Sequence, residues 1–297
     1  MTRCMRLIIA ALSPALLLAA CCLPARCNER QRVTTEDDLI YTKAGQVELK
    51  LDLARPAEGD GPFPGVLVIH GGGWCRGDKA QMRGALTEFA RRGYVAIAPQ
   101  YRLCPQDTFP AQVHDVKAAV RWLKHHAKDY KLDPEHIGAI GFSAGGHLSL
   151  MLGLTGPGDD LEGDHAVDAH STRIQAVVNY FGPIDFTASD IPEPSRQIVK
   201  DFLGGTPEEK PEAAAKASPL TYVTKDDPPI LTFHGTKDGL VPYTQAVKLT
   251  DALTAAGVPG RVDLLIGAEH GWRGTDLAQT MGEAFRFFDR YLKPSNP

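Results

Sequence analysis

Short apolar segments alternate with helical patterns along most of this 297-residue chain. Residues 65–69 and 137–142 contain no charged side chain. Such uniform apolarity suits the central strands of a parallel sheet, which are buried on both faces. Residues 111–128 place Val113, Val116 and Val120 on one helical face. Strands that alternate with amphipathic helices predict an α/β domain with a mostly parallel sheet and right-handed crossovers.

The pattern predicts a central sheet of about eight strands flanked by helices. The predicted strands are 38–42, 47–53, 65–69, 94–99, 137–142, 174–181, 230–234 and 262–266. The predicted helices are 80–92, 111–128, one that follows residue 143, 243–256 and 277–292. With 43% hydrophobic residues, the chain can bury the core of one large domain.

Two longer segments interrupt this alternation. Residues 155–173 form a polar loop, and residues 183–222 form an insertion with one amphipathic piece at 195–203. Long insertions at the carboxyl edge of a sheet are often lids or binding loops. We therefore expect residues 183–222 to form a small cap, with a surface excursion away from the site as the alternative.

The first residues have the pattern of an export signal. Arg3 and Arg6 precede an apolar run at 7–20 that is too short for a membrane span. Leu18-Ala-Ala-Cys21 resembles a bacterial lipobox, which would make Cys21 a lipid-anchored N-terminus. Ordinary cleavage a few residues later, without a lipid, is the alternative. We expect a signal peptide at 1–21, a polar leader at 22–36, the folded domain at 37–297, and a periplasmic or cell-surface location.

A serine stands at the end of the apolar run 137–142, and small residues follow it. Gly141-Phe-Ser143-Ala-Gly145 matches Gly-x-Ser-x-Gly, a sharp strand-to-helix turn that exposes a serine hydroxyl above the sheet edge. The glycines are needed because this turn strains the serine backbone and brings neighbouring chain segments close. In a chain with 29 glycines an ordinary glycine-serine turn is the alternative. The choice between the two depends on whether the serine has catalytic partners.

A serine hydroxyl is a poor nucleophile unless a base takes its proton and a carboxylate orients that base. In this topology an acid and then a histidine are expected, each just after a strand. Asp238 follows the predicted strand 230–234, and His270 follows the last predicted strand. We therefore predict that Ser143, Asp238 and His270 form a catalytic triad.

Other side chains compete for these roles. Asp263 and Glu269 lie near His270 in the sequence, but a residue adjacent in sequence rarely points at the ring of its neighbour. A structural hydrogen bond is expected for His234 at its strand end, and packing beneath the site for His147. The remaining histidines are expected on helix surfaces or in loops: His114, His125, His126, His136, His165 and His170.

The predicted strand 65–69 ends in His70-Gly-Gly-Gly73. Glycines let the backbone come close to a ligand, so the N–H groups of Gly72 and Gly73 can point inward beside that of Ala144. Donors that are aimed in advance at a developing oxyanion stabilise the transition state. We predict an oxyanion hole made of these amides, with a flexible glycine hinge as the alternative.

These motifs resemble those of the α/β-hydrolase esterases related to hormone-sensitive lipase, most closely the bacterial feruloyl-esterase-like branch. The resemblance covers residues 38–292, and its motifs follow the order and spacing of that family: 70–74, 77–79, 101–103, 109–112, Asp115 with Trp122, 141–148, 234–242 and 270–271. It implies an α/β-hydrolase fold. It also implies the triad and oxyanion residues named above, and structural positions for Asp115 and Trp122.

Cys75 and Cys104 depart from the pattern of this family, in which these positions are ordinarily not cysteine. Both lie just beyond neighbouring strands of the predicted sheet, at the same edge, and their spacing resembles no metal site. Export permits oxidation, so we expect a Cys75–Cys104 disulfide, with two free thiols as the alternative. Closing this loop would stabilise the protein by about 3–4 kcal/mol and would brace the oxyanion loop.

The resemblance implies an exported serine esterase for carboxylic esters with short, acetyl-like or feruloyl-type acyl groups, either small or linked to a polysaccharide. The alternatives are a peptidase of the prolyl-oligopeptidase type and a non-catalytic binding module on the same fold. No metal or organic cofactor is expected. A net charge of −4 without a basic run beyond the N-terminus argues against a nucleic-acid partner. A lipid on Cys21 would attach the protein to a membrane, and the oligomeric state is left open.

Overall fold

The computed structural model describes residues 31–163 and 170–293. The predicted signal peptide, Cys21 and His165 lie outside the described residues. Within the described ranges, no helix is both long enough and apolar enough to cross a lipid bilayer.

A single sheet runs through the described residues. Its strands are β1 (Val33–Ala44), β2 (Val47–Pro56), β3 (Phe63–Ile69), β4 (Val95–Pro99), β5 (Leu132–Phe142), β6 (Ala176–Tyr180), β7 (Ile230–Gly235) and β8 (Gly260–Leu265). Their order across the sheet is β1-β2-β4-β3-β5-β6-β7-β8. β2 pairs antiparallel with β1 and β4, and all other neighbours pair in parallel. The predicted mostly parallel sheet of about eight strands is confirmed.

The first strand begins earlier than the sequence predicts. Val33 pairs with Pro56 and Glu36 with Leu53, so β1 takes up part of the predicted leader 22–36. The prediction was wrong at this boundary because β1 lies at the edge of the sheet and only one of its twelve side chains, Tyr41, is buried. Backbone pairing holds such a strand without an apolar pattern in its sequence.

Helices cover both faces of the sheet. They are α1 (Arg83–Arg91), α2 (Ala111–His125), α3 (Ala127–Tyr130), α4 (Ala144–Leu154), α5 (Glu193–Leu203), α6 (Pro211–Ala217), α7 (Tyr243–Ala256) and α8 (Gly274–Leu292), with short 3₁₀ turns at Lys79–Met82, Pro157–Asp159 and Pro219–Tyr222. The predicted helix 111–128 is divided into α2 and α3. The insertion between β6 and β7 carries α5 and α6.

The buried side chains of the strands form two clusters, one on each face of the sheet. Leu67 and Ile69 pack in the cluster that includes residues of α2, α4 and α7, whereas Val66 and Val68 pack in the cluster with α1 and α8. Successive side chains of a strand point to opposite faces, so a strand covered on both faces is apolar at every position. The carboxyl ends of β3, β5, β7 and β8 lie at one edge, which is where the predicted site residues follow.

Candidate active site

Ser143 lies in the sharp turn between β5 and α4. Its backbone has φ 54° and ψ −118°, which is uncommon for a residue other than glycine, and its N–H donates to Tyr180 O at 2.8 Å. A Cβ on Gly141 would collide with the backbone oxygen of Gly145, and a Cβ on Gly145 would collide with that of Ile69. Close backbone contact on both sides of the serine therefore explains the two glycines of the motif.

The structure brings Ser143, Asp238 and His270 together. His270 Nε2 lies 2.8 Å from Ser143 Oγ, and His270 Nδ1 lies 2.7 Å from Asp238 Oδ2. Asp238 comes from the loop after β7 and His270 from the loop after β8. The carboxylate is fully buried, whereas the imidazole is 17% exposed. With Asp238 accepting at Nδ1, the imidazole presents Nε2 as an acceptor to the serine hydroxyl.

The Asp238 carboxylate is surrounded by hydrogen-bond donors. Oδ1 accepts from the backbone N–H groups of Leu240 and Val241, both at 2.9 Å. Oδ2 accepts from His270 and also lies 3.2 Å from Nε2 of His234. Burial alone would raise the pKa of Asp238, but the hydrogen bonds from His234 and His270 outweigh burial and hold that pKa below its ordinary value. The carboxylate is therefore ionised at neutral pH.

His234 has a larger part in the site than the sequence indicates. Its fully buried Nε2 donates to Val241 O at 2.9 Å and faces the same Asp238 oxygen that binds His270. The sequence predicts only a structural hydrogen bond for this residue. The sequence signal for this contact is the spacing, because His234 and Asp238 stand four residues apart across a tight turn.

The glycine loop after β3 lies beside the serine. Gly72 and Gly73 line the same cavity as Ser143 and have φ values of 123° and 60°. A Cβ on Gly72 would collide with the backbone oxygen of Arg76, and a Cβ on Gly73 would lie 2.7 Å from Ile198 Cγ2. Neither position has room for a side chain, so the loop places bare backbone against the cavity.

Ala144 is the fully buried first residue of α4. A hydrogen bond from the His147 N–H to Ser143 O, at 3.0 Å, begins the helix. The N–H of Ala144 precedes that bond and has no partner within the helix, at an end that carries partial positive charge. The predicted oxyanion residues thus contribute amides from two segments that meet next to the serine.

Several contacts hold the two residues after the glycines, Trp74 and Cys75, in place. Trp74 Nε1 donates to His147 Nδ1 at 3.2 Å, and the indole stacks on the Phe202 ring with centroids 4.0 Å apart. A disulfide joins Cys75 to Cys104, with Cα atoms 4.4 Å apart. The Cys104 N–H also donates to Trp74 O at 3.0 Å. The two cysteines are therefore bonded to each other in this structure, and the bond begins two residues after Gly73.

The imidazole on the other side of the site rests against an aromatic ring. Phe181, directly after β6, has φ 43° and places its ring edge-on to that of His270, with centroids 4.8 Å apart. Trp272 packs against Phe181 at 5.2 Å. This contact is apolar and leaves both ring nitrogens of His270 to Ser143 and Asp238.

A cavity of about 210 Å³ opens above the serine. Its walls are mainly apolar, and the insertion 183–222 contributes much of them through Phe186, Ile191, Ile198 and Val199. The insertion lies over the site rather than away from it, which is the position expected of a small cap.

The remaining candidate residues have other partners. Asp263 accepts from Arg261 on β8. Asp115 is buried and accepts from the backbone N–H of Arg102, at 2.8 Å, and from its guanidinium, at 2.7 Å, as a structural residue would. Among the residues that the structure describes, no group of three or more His, Cys, Asp and Glu side chains could hold a metal ion.

A family model named BD-FAE matches residues 51–253, more than half of the chain. The chain belongs to the BD-FAE family. As a member of BD-FAE with this sheet order, and with solved esterases as structural neighbours, it has the α/β-hydrolase fold.

Several relatives share the matched region. A probable carboxylic ester hydrolase, LipM, and the esterase LipC, both from Mycobacterium tuberculosis, are 33% identical over 73% and 74% of this chain, and the matches cover 51% and 55% of those proteins. The chain thus spans about half the length of these curated relatives.

The matches to solved structures cover nearly the whole of those chains, unlike the matches to the curated relatives. A truncated carbohydrate esterase from gut microbiota has a TM-score of 0.76 at 26% identity, with 89% of this chain and 98% of that chain covered. Est2, an esterase of Thermogutta terrifontis solved with propionate bound, has a TM-score of 0.73 at 27% identity, with 90% and 97% covered. The same esterase phosphorylated by paraoxon has a TM-score of 0.72 at 29% identity, with 88% and 96% covered.

Proposed function

We propose that this BD-FAE member is a serine esterase that hydrolyses carboxylic esters through an acyl-enzyme. The observation that carries the proposal is the continuous hydrogen-bonded path from Asp238 through His270 to Ser143 Oγ, inside an apolar cavity. Relatives named as carboxylic ester hydrolases and esterases support the same reaction class.

The proposed reaction has two halves. Ser143 Oγ attacks the ester carbonyl while His270 Nε2 takes the hydroxyl proton, and the imidazolium then gives that proton to the departing alcohol. In the second half, His270 takes a proton from a water molecule that attacks the acyl carbonyl, and returns that proton to Ser143 Oγ as the carboxylic acid is released. Asp238, ionised and buried, holds the ring orientation and stabilises the imidazolium.

The negative charge that forms on the carbonyl oxygen in each half meets backbone donors. The amides of Gly72, Gly73 and Ala144 are the donors in this proposal, because they border the nucleophile and none belongs to a side chain that must reorganise. Removal of one such donor typically costs about 3–4 kcal/mol of transition-state stabilisation.

Ser143→Ala is the direct test. Turnover of p-nitrophenyl acetate should fall by about 10⁵- to 10⁶-fold, since the nucleophile is lost. Ser149→Ala is the matched control, because Ser149 is buried in the same helix and its Oγ bonds only to the Gly145 carbonyl, at 2.9 Å, among the described residues. Paraoxon should label the wild type and Ser149→Ala with one phosphoryl group per chain and leave Ser143→Ala unlabelled. Retained turnover in Ser143→Ala would refute the esterase assignment.

Short acyl groups are the proposed substrates. The cavity is smaller than the roughly 300–1,000 Å³ of pockets that bury drug-sized ligands, and the cap residues Ile191, Ile198 and Val199 make its walls apolar. The Thermogutta esterase binds propionate and butyrate in its solved structures. Rates on p-nitrophenyl acetate, p-nitrophenyl butyrate, acetylated xylan and methyl ferulate compare the acetyl-like and feruloyl-type alternatives, and preferred hydrolysis of long acyl chains would contradict this proposal.

The other functions can be separated in the same assays. A prolyl-oligopeptidase-like peptidase would turn over aminoacyl amides as well as esters, whereas a carboxylesterase would leave the amides intact. A binding module would lack turnover altogether. The ester relatives support neither.

Export remains a proposal that rests on the N-terminal sequence pattern. Cys21→Ala should reduce the membrane-bound fraction of the protein if Cys21 carries a lipid. An unchanged membrane-bound fraction would contradict lipidation and leave ordinary cleavage of the signal.

A further inference from the structure

The oxyanion loop has an unusual backbone just where its amides are needed. Gly72, Gly73 and Trp74 have consecutive φ values of 123°, 60° and 58°. Trp74 is not a glycine, so its left-handed conformation is unfavourable and is retained only where surrounding contacts determine it.

The indole of Trp74 is buried, and its only polar atom has a buried partner. Nε1 donates to His147 Nδ1 at 3.2 Å, while the ring stacks on Phe202 at 4.0 Å. The Trp74 and His147 rings meet edge-on with centroids 5.2 Å apart. The hydrogen bond therefore fixes the direction in which this indole lies, which stacking alone does not.

His147 is fully buried and is fixed in one tautomer. Its Nε2 lies 2.8 Å from the Ala217 carbonyl oxygen, which can only accept, so Nε2 carries the proton and Nδ1 is free to accept from Trp74. Burial lowers the pKa of His147 to about 4, so the ring is neutral at neutral pH. A charged ring would place a second N–H against the indole N–H and remove the acceptor.

One side chain thus connects three segments that border the site. His147 stands four residues after Ser143 on α4, its Nδ1 holds the oxyanion loop through Trp74, and its Nε2 holds Ala217 at the end of α6 in the insertion. The loop and the helix that supply the oxyanion amides are therefore tied to each other by a specific bond.

We propose that His147 is a positioning residue for the oxyanion hole, which acts by holding Trp74 and with it the amides of Gly72 and Gly73 at a set distance from Ser143. This inference rests on the proposed esterase function. It predicts that the Nδ1 acceptor matters for the rate and that the Nε2 donor matters mainly for stability.

Two substitutions at position 147 separate these two bonds. His147→Asn places an amide oxygen close to the position of Nδ1 and keeps the acceptor for Trp74. His147→Gln reaches the position of Nε2 and keeps the donor for Ala217, but loses the acceptor. Trp74→Phe keeps an aromatic ring for the stack on Phe202 and removes the indole N–H together with part of the ring.

The expected result is a change in kcat without a matching change in KM. His147→Gln and Trp74→Phe should each lower kcat on p-nitrophenyl acetate by about 10- to 100-fold, as expected for misplaced catalytic groups. His147→Asn should stay within about 3-fold of the wild type. The double variant Trp74→Phe/His147→Gln should be no slower than either single variant, because both remove the same bond.

Affinity for a transition-state analogue provides a readout that general destabilisation does not move. Phenylboronic acid forms a tetrahedral adduct on the serine, so its inhibition constant should weaken by the same factor as kcat/KM in His147→Gln and Trp74→Phe. Tyr94→Phe is the control for loss of a hydrogen bond made by a buried side chain away from the site. It removes the 2.8 Å bond to Asp289, in the cluster on the opposite face of the sheet, and should lower the melting temperature with kcat unchanged.

The outcomes distinguish this inference from the proposed function. Equal kcat in His147→Asn and His147→Gln, or wild-type kcat in Trp74→Phe, would overturn the positioning role while the esterase assignment stands. Activity retained in Ser143→Ala would instead remove the esterase assignment on which it rests.

Discussion

The two sides of the site are held by different kinds of interaction. On the oxyanion side, Trp74 is buried, and the Cys75–Cys104 disulfide follows directly after it. On the base side, His270 lies in the loop after the edge strand β8, where the preceding Ile266 is 94% exposed. There the ring is held by an ionised carboxylate and by the edge-on contact with the Phe181 ring.

This difference matches what the proposed reaction requires of each side. Backbone donors stabilise a developing charge only if they are in place before it forms, so the oxyanion side gains from rigidity. In the proposed reaction the imidazole exchanges a proton with the serine, the leaving alcohol and water in turn, which requires small adjustments. We therefore expect the oxyanion side to be sensitive to added atoms and to reductants, and the base side to be sensitive to acid.

Among the tests that compare the two sides of the site, an added methyl group is expected to have the largest effect. Gly73→Ala and Gly274→Ala change glycines with φ of 60° and 61°, so both variants place an alanine at a left-handed φ. The new Cβ at position 73 would lie 2.7 Å from Ile198, whereas position 274 has open space. We expect kcat to fall by about 10²-fold in Gly73→Ala and by less than about 2-fold in Gly274→Ala, measured on p-nitrophenyl acetate. Equal losses would show that the oxyanion loop tolerates an added methyl group as well as the start of α8, just after the His270 loop, does.

Loss of the disulfide should have the next largest effect. Cys75→Ser/Cys104→Ser opens a loop with a sequence separation of 29. The chain-entropy model gives a loss of about 3–4 kcal/mol, or roughly 10 °C in melting temperature for a domain of this size. We expect kcat to fall together with the melting temperature, and a reductant to reproduce both changes in the wild type. A reductant that also slows the double variant would point to a different target.

The smallest effect concerns acid. The pKa of Asp238 is lower in the folded protein than in the unfolded chain, so the unfolded chain binds the extra proton as the pH falls below about 4. The stability that the ionised carboxylate contributes is present above that pH and is lost on further acidification. Asp238→Asn has no such proton to bind, so its melting temperature should fall less steeply than that of the wild type between pH 5 and 3. Parallel curves would show that the carboxylate does not stabilise the base side.

The sequence predicts the site well where a motif stands at the end of a strand. Ser143, Asp238 and His270 are separated widely along the chain, but each follows a predicted strand, and parallel strands bring such positions to one edge. The glycines of the oxyanion loop are visible for a similar reason, since backbone contact with no room for a Cβ requires glycine.

Contacts between side chains from distant segments are not visible in the same way. Nothing in the spacing of Trp74 and His147 indicates that they share a hydrogen bond, and the contact of His234 with Asp238 depends on how a tight turn closes. The start of β1 was missed because an edge strand needs no apolar pattern. The division of the helix at 111–128 was missed because the apolar pattern continues across it.

Helix α5 touches both sides of the site at once. Ile198 packs against Gly73, and Ser195 Oγ donates to Leu240 O, two residues after Asp238. A bulky ester that pushes this helix outward would loosen the oxyanion glycines and the acid together. Attempts to engineer a wider substrate range through this helix should therefore meet a loss of turnover that comes from the shared support and not from the fit of the new substrate.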